Sequence, residues 1–259
     1  MKSTADAILR TDQATYLDAL HSSAVRALAV LGGGTATNAR RLDPGRGEPS
    51  SPGASHPGVG EERAERDPLL ARMEARAADR GYPISDPEVA CLLAIVAKAA
   101  QPLRVVELGT NIGYGAIVLA RAAGERARVL TIEYRSDLVE EARGYIAEAG
   151  LSDRIEVRHG MAIGELEKIT DPIDLLYVDC VKEEYPQYLE IAAPKLSPNG
   201  VVIADNVLWR GQVARETPAE TERERAQALG RFNLALVSRP DLCGVILPLG
   251  DGVGLAVRV

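Results

Sequence analysis

Asp205 and Asn206 follow directly on the apolar run Gly200-Val201-Val202-Ile203-Ala204, and a second apolar run, Ile173-Asp174-Leu175-Leu176-Tyr177-Val178, ends in Asp179. Runs of this length and composition read as strands buried on both faces. Each delivers an oxygen-bearing side chain to one edge of a sheet. Two carboxylates and an amide gathered there make a donor set for a hard divalent cation, which takes oxygen ligands. Lys182 stands three residues beyond Asp179, close enough for its amine to act on anything the cation holds. Taken alone, Asp205-Asn206 reads equally as a turn after a strand, and Lys182 as a solvated lysine opening a helix. The second strand, ending in Asp179, is what favours a site.

A glycine loop lies upstream, Glu107-Leu108-Gly109-Thr110-Asn111-Ile112-Gly113-Tyr114-Gly115. It sits between a strand and the helix that follows, where a ligand can approach the backbone with a helix N-terminus behind it. Its spacing is G-x-x-x-G-x-G with an acid two residues before the first glycine, which departs from the G-x-G-x-x-G pyrophosphate fingerprint. Glu133 ends the next strand and is placed to accept both hydroxyls of a ribose; otherwise it is a solvated strand-end acid.

These residues need a scaffold, and the rhythm from residue 103 supplies one. Strands read over 103–108, 128–133, 154–158, 173–178 and 200–204 alternate with helices over 116–123, 137–149, 163–169 and 185–196, the pattern of a parallel sheet covered on both faces. Then a polar helix reads over 219–237, and runs 245–249 and 253–257 flank Gly250-Asp251-Gly252 as a hairpin, so the last strand runs antiparallel to its neighbour. Upstream, Ser85-Asp86-Pro87-Glu88 starts a helix that continues to about Ala99. Residues 61–80 read as a charged helix and 5–31 as a helix with an apolar stripe. Between them, about 32–60 is a Gly/Pro/Ser/Arg-rich loop. The expected division is therefore an N-terminal segment, 1–80, and a domain, 81–259.

Composition narrows the function. With 259 residues, 46% hydrophobic and 26% charged, the chain has the make-up of a globular protein with a real core. A net charge of −7 disfavours a broad nucleic-acid surface. No apolar run reaches the roughly 18 residues of a membrane span, and no secretory leader is read at the N-terminus. The three cysteines, Cys91, Cys180 and Cys243, are odd in number and far apart. They fit a reducing cytoplasm, with Cys91 and Cys243 expected as buried small hydrophobes. His159 is a weak base candidate for Cys180, so covalent catalysis is not expected.

The stretch from about Gly81 onward resembles the cation-dependent O-methyltransferases, the group that includes catechol and caffeoyl-coenzyme A O-methyltransferases and many small bacterial members. The matching segments are VVELGTNIGYGAIVLA, VLTIEY, AGLSDRIEVRHG, DLLYVDCVKEEYPQYLEIAAPKLSPNGVVIADNVLWRGQV and LPLGDGVGLAVRV. The resemblance implies the class I S-adenosylmethionine (SAM) methyltransferase fold: α/β, Rossmann-like, with a mostly parallel seven-stranded sheet, a C-terminal antiparallel hairpin and helices on both faces. It implies Mg²⁺, or another divalent cation such as Mn²⁺ or Ca²⁺, on Asp179, Asp205 and Asn206, with Lys182 as general base. It further implies a SAM site lined by Ile84, Glu107, Gly109, Gly113, Tyr114, Gly115, Glu133, Tyr134 and Ala162, with Asp179 reaching the SAM amino group. A homodimer is also implied.

Three departures stand out. Tyr114-Gly115 replaces the usual Tyr-Ser, which removes a hydroxyl from the SAM carboxylate site. Ala162 stands where a hydroxyl can contact the adenine, and Cys180-Val181 replaces the His-Trp of catechol enzymes. The expected reaction is methyl transfer to a hydroxyl of a small catechol or vicinal diol, with Lys182, Asn206 and Trp209 beside the acceptor. Trp209 either lines that pocket or packs its loop. The alternative acceptors are a hydroxyacyl unit on a carrier protein and a hydroxyuridine in tRNA. A nucleotide-linked dehydrogenase is the alternative from another class, with the loop spacing and the oxygen triad against it.

Overall fold

The computed structural model describes residues 67–259. The helix read over 5–31 and the loop read over about 32–60 lie outside the described residues. Among the described residues, seven strands form one sheet: β1 (Arg104–Leu108), β2 (Arg128–Glu133), β3 (Ile155–His159), β4 (Ile173–Val178), β5 (Leu196–Ala204), β6 (Leu242–Leu247) and β7 (Val253–Arg258). Their order is β3-β2-β1-β4-β5-β7-β6. The first five strands pair in parallel. β7 inserts between β5 and β6 and runs antiparallel to both.

Strand periodicity divides the core in two. Val105, Leu175, Tyr177, Val201 and Ile203 face one layer, made by α1 (Pro68–Arg80), α2 (Pro87–Ala100), α3 (Tyr114–Ala123) and α4 (Ser136–Glu148). Val106, Leu108, Leu176, Val178, Val202 and Ala204 face the other, made by α5 (Ala162–Lys168), α6 (Tyr185–Ala192) and α7 (Arg223–Ser238). α1 buries Leu69, Met73 and Ala77 in the first layer, so this part of the charged segment shares the core of the sheet. Its start is set by Asp67, whose side chain accepts from Leu69 N and Leu70 N, with Pro68 in the first turn; it ends on left-handed Gly81.

Several boundaries differ from the sequence reading for identifiable reasons. α6 stops at Ala192 because Pro194 turns Ala193–Lys195 into a 3-10 turn. β5 begins at Leu196, ahead of Gly200, through an irregular register opposite Ile173 to Leu175. Asp86 occupies the cap position of α2 without a side-chain cap bond, and the Ser85 hydroxyl bonds elsewhere. Cys91 is exposed and Cys243 only partly buried, which corrects the expectation that both are core residues. α2 is apolar around most of its circumference, so composition did not reveal which side faces solvent.

β1 leads to β2 and β3 on one side, and β4 leads to β5 on the other. The crevice between β1 and β4 at their C-terminal ends is thus the switch point where such sheets hold ligands. Phe232 on α7 is fully buried and meets the Tyr185 ring edge-on at a centroid distance of 5.3 Å. Phe232→Ala is expected to lower the unfolding free energy by about 3–5 kcal/mol. Urea denaturation measures this; an unchanged midpoint would show that α7 does not anchor this layer.

Candidate active site

The C-terminal edge of the sheet gathers the residues singled out by their spacing. Asp179 follows β4, Asp205 and Asn206 follow β5, and the Asp205 N–H donates to the Val178 carbonyl at 2.9 Å, which holds the two strand ends side by side. Asp205 is buried, with 2% of its surface exposed. Burial, and after it the charge of Asp179, pushes its carboxyl up to about 7. Asn206 takes a left-handed backbone, φ 57°.

Lys182 opens a 3-10 turn, Lys182–Glu184, and is itself buried. Its Nζ donates to Asp179 Oδ1 at 2.7 Å and to the Tyr185 hydroxyl at 2.8 Å. Tyr185 in turn donates to the carbonyl oxygens of Asp205 (3.0 Å) and Val178 (3.2 Å). One phenol therefore fastens the lysine to the ends of both strands. Sequence reasoning missed Tyr185, because a tyrosine three residues after Lys182 on an amphipathic helix looks like ordinary core; the i, i+3 spacing was the available signal.

A cavity of about 510 Å³ runs along this edge. Gly109, Glu133, Tyr134, Ala162, Asp179, Lys182, Asn206 and Trp209 all line it, together with Pro83, Asn111, Cys180 and Val181. Gly109 has φ 97°, and a Cβ there would lie 2.0 Å from the Asp179 carbonyl oxygen, so only glycine fits between the ends of β1 and β4. The Glu133 carboxylate is held by backbone, accepting from Asn111 N at 2.9 Å and Arg135 N at 3.0 Å. Four lone-pair sites on a carboxylate leave room for further donors. Trp209 lines the cavity and packs its loop at once: its Nε1 donates to Glu222 Oε2 at 2.6 Å, and the Arg225 guanidinium lies 5.4 Å from its ring centroid.

Other residues of the expected set stand apart from the cavity wall. Ile84 packs partly buried against the first core layer. Gly113 lies against Ala142, and the Tyr114 side chain turns to α1, where its hydroxyl donates to Glu74 Oε1 at 2.9 Å. Cys180 is not an activated nucleophile: burial pushes its thiol up, and His159 points its Nε2 at the Tyr134 carbonyl oxygen, 2.9 Å away.

Glu107 lies beneath the glycine loop, 1% exposed, in cross-strand register with Thr131 on one side and Tyr177 on the other. Thr131 donates to its Oε2. Gly115 sits directly over it: a Cβ there would lie 2.2 Å from Glu107 Oε1 and 3.3 Å from the Tyr177 ring. Burial pushes the Glu107 carboxyl from an ordinary 4.5 to about 8. Between those values the folded chain keeps a proton that the unfolded chain releases, so stability falls as pH rises through this window. Glu107→Gln is expected to raise the melting temperature at pH 8 more than at pH 5. Equal shifts at both pH values would show that Glu107 carries no such burden.

Similarity to known proteins agrees with this geometry. The family model for O-methyltransferases matches residues 64–259. A catechol O-methyltransferase from Niastella koreensis is 31% identical over 204 residues, covering 74% of this chain and 90% of that protein. Among solved structures, the O-methyltransferase from Bacillus cereus in complex with SAH superposes with a TM-score of 0.70 at 28% identity, covering 76% of this chain and 94% of that one. The O-methyltransferase TomG from Streptomyces achromogenes, in complex with SAM, gives 0.68 at 29% identity over 75% and 91% of the two chains. The switch-point crevice, the glycine loop and the strand-end acids thus sit on a scaffold shared over three-quarters of the sequence, and the chain belongs to the O-methyltransferase family.

Proposed function

We propose that this protein is a SAM- and divalent-cation-dependent O-methyltransferase acting on one hydroxyl of a small catechol or vicinal diol. The observation that carries this reading is Lys182: a buried amine 2.7 Å from Asp179, in one cavity with Asn206, Glu133 and Gly109. The Bacillus cereus and Streptomyces achromogenes structures, in complex with SAH and SAM, support the donor. The Niastella koreensis relative, a catechol O-methyltransferase, supports the acceptor class.

The donor set fits a hard cation. Asp179, Asp205 and Asn206 offer two carboxylates and an amide oxygen, and burial with mutual repulsion raises Asp205 to about 7, a burden that added positive charge relieves. These three residues would hold the cation. When bound, the cation stabilises an acceptor oxyanion, and SAM supplies an electrophilic methyl group.

The remaining work falls to this chain's own side chains. Glu133, already fixed by two backbone amides, accepts the ribose hydroxyls. Gly109 lets the donor approach the backbone between the ends of β1 and β4. Trp209 and Val181 give apolar walls to the acceptor end, which suits a flat ring and helps keep water out. Lys182 Nζ, oriented by Tyr185, takes the proton from the acceptor hydroxyl. A free phenol has a pKa of about 10, so without a base little of it is ionised at neutral pH.

The test is turnover over a panel of catechols, vicinal diols, carrier-bound hydroxyacids and tRNA, with metal and with EDTA. Methylation of a catechol that stops on metal removal is expected. Lys182→Met is expected to lower kcat by about 10²–10⁴-fold while SAM still binds. Near-normal turnover by Lys182→Met would remove the base, and activity that survives complete metal removal would remove the cation.

A further inference from the structure

Tyr177 occupies the centre of the sheet, paired with Glu107 on β1 and Ile203 on β5, and is 1% exposed. A phenylalanine would fill the same space. A buried hydroxyl is costly unless it is hydrogen-bonded, so the extra oxygen calls for a physical reason. It has two partners: Ser85 Oγ at 2.7 Å and Asp205 Oδ2 at 3.4 Å.

Both partners are informative. Asp205 is already held at its other atoms: Oδ1 accepts from Asn206 N at 2.7 Å, and its carbonyl accepts from Tyr185 at 3.0 Å. Tyr177 approaches Oδ2 from the opposite face of the sheet to Tyr185, at the 3.4 Å of a long hydrogen bond. For Tyr177 to donate there, Ser85 must donate to Tyr177, which gives a directed chain of hydroxyls ending on the carboxylate. Ser85 is buried and belongs to the segment entering α2, whose Pro83 lines the cavity and is tied to the glycine loop by Asn111 Nδ2, 2.9 Å from the Pro83 carbonyl oxygen.

Gly115 makes room for this arrangement. A Cβ at that position would crowd the Tyr177 ring at 3.3 Å and collide with Glu107. The missing side chain at 115 and the aromatic ring at 177 therefore belong to one packing solution.

We propose that Tyr177, held by Ser85, is a positioning residue that aims the Asp205 carboxylate at the cation and fastens to it the Pro83–Ser85 border of the cavity. This inference rests on the cation reading given under Proposed function. Its test is Mn²⁺ binding to the full chain, followed by electron paramagnetic resonance, for wild type, Tyr177→Phe, Ser85→Ala and the double variant. Tyr177→Phe keeps the ring and is expected to weaken Mn²⁺ by about tenfold, the scale on which groups supporting a metal ligand act. Its kcat should recover at saturating Mn²⁺ while the Mn²⁺ concentration for half-maximal rate stays raised. Ser85→Ala should weaken Mn²⁺ in the same direction, and the double variant should be no worse than Tyr177→Phe alone. Should Tyr177→Phe fail to fold, Ser85→Ala decides, because it leaves the ring in place. Unchanged Mn²⁺ affinity in either variant, or additive losses in the double variant, would overturn the relay. Wild-type protein that binds no Mn²⁺ would instead remove the cation reading on which the relay depends.

Discussion

Asp179 and Asp205 end adjacent parallel strands, and the negative charge they place at one buried edge is the constraint around which the rest of the site is organised. Asp205 is almost out of contact with water, and Asp179 raises its carboxyl further through like-charge repulsion. Lys182 answers part of this, with its Nζ hydrogen-bonded to Asp179 Oδ1. Among the described residues, the Asp205 side chain accepts from neutral donors, Asn206 N and the Tyr177 hydroxyl. Two carboxylates with one lysine between them leave negative charge uncompensated, and a low-dielectric edge magnifies that imbalance. The cation proposed above would relieve that imbalance, as does the raised proton affinity of Asp205.

The two core layers hold the strand ends from opposite sides. On one face Tyr185, backed by Phe232, ties Lys182 and the backbone of Asp205 to the end of β4. On the other, Tyr177 reaches past Ile203 to the Asp205 side chain. The same face carries Thr131 and Glu107 in register with Tyr177, a polar row beneath the glycine loop where apolar packing would be more stable. Buried polar groups of this kind mark places where stability yields to function. Gly109 and Gly115 let this row and the crevice approach the backbone closely.

Much of this was legible in the sequence because strands are local. The runs ending in Asp179 and Asp205 announce themselves by composition, and β2 and β4 span the residues their periodicity indicates. Asp179, Lys182, Asn206, Glu133 and Gly109 reach one cavity because each lies at a strand end or within a short turn after one. What was not legible depends on direction in space. Tyr114 follows a site glycine, yet its side chain crosses to Glu74 on α1. Tyr177 and Tyr185 read as core residues, and only the folded sheet shows their hydroxyls meeting at Asp205. Cys91 sits on an apolar helix whose outward face no periodicity distinguished. Glu107 could be picked out by its motif, but its burial beneath Gly115 could not.

The most direct measurement is diffraction from crystals soaked in Mn²⁺, with data collected at the manganese absorption edge. A single anomalous peak enclosed by the side-chain oxygens of Asp179, Asp205 and Asn206 is predicted. A peak elsewhere, or none at concentrations that support turnover, would contradict the assignment of these strand ends as the cation site.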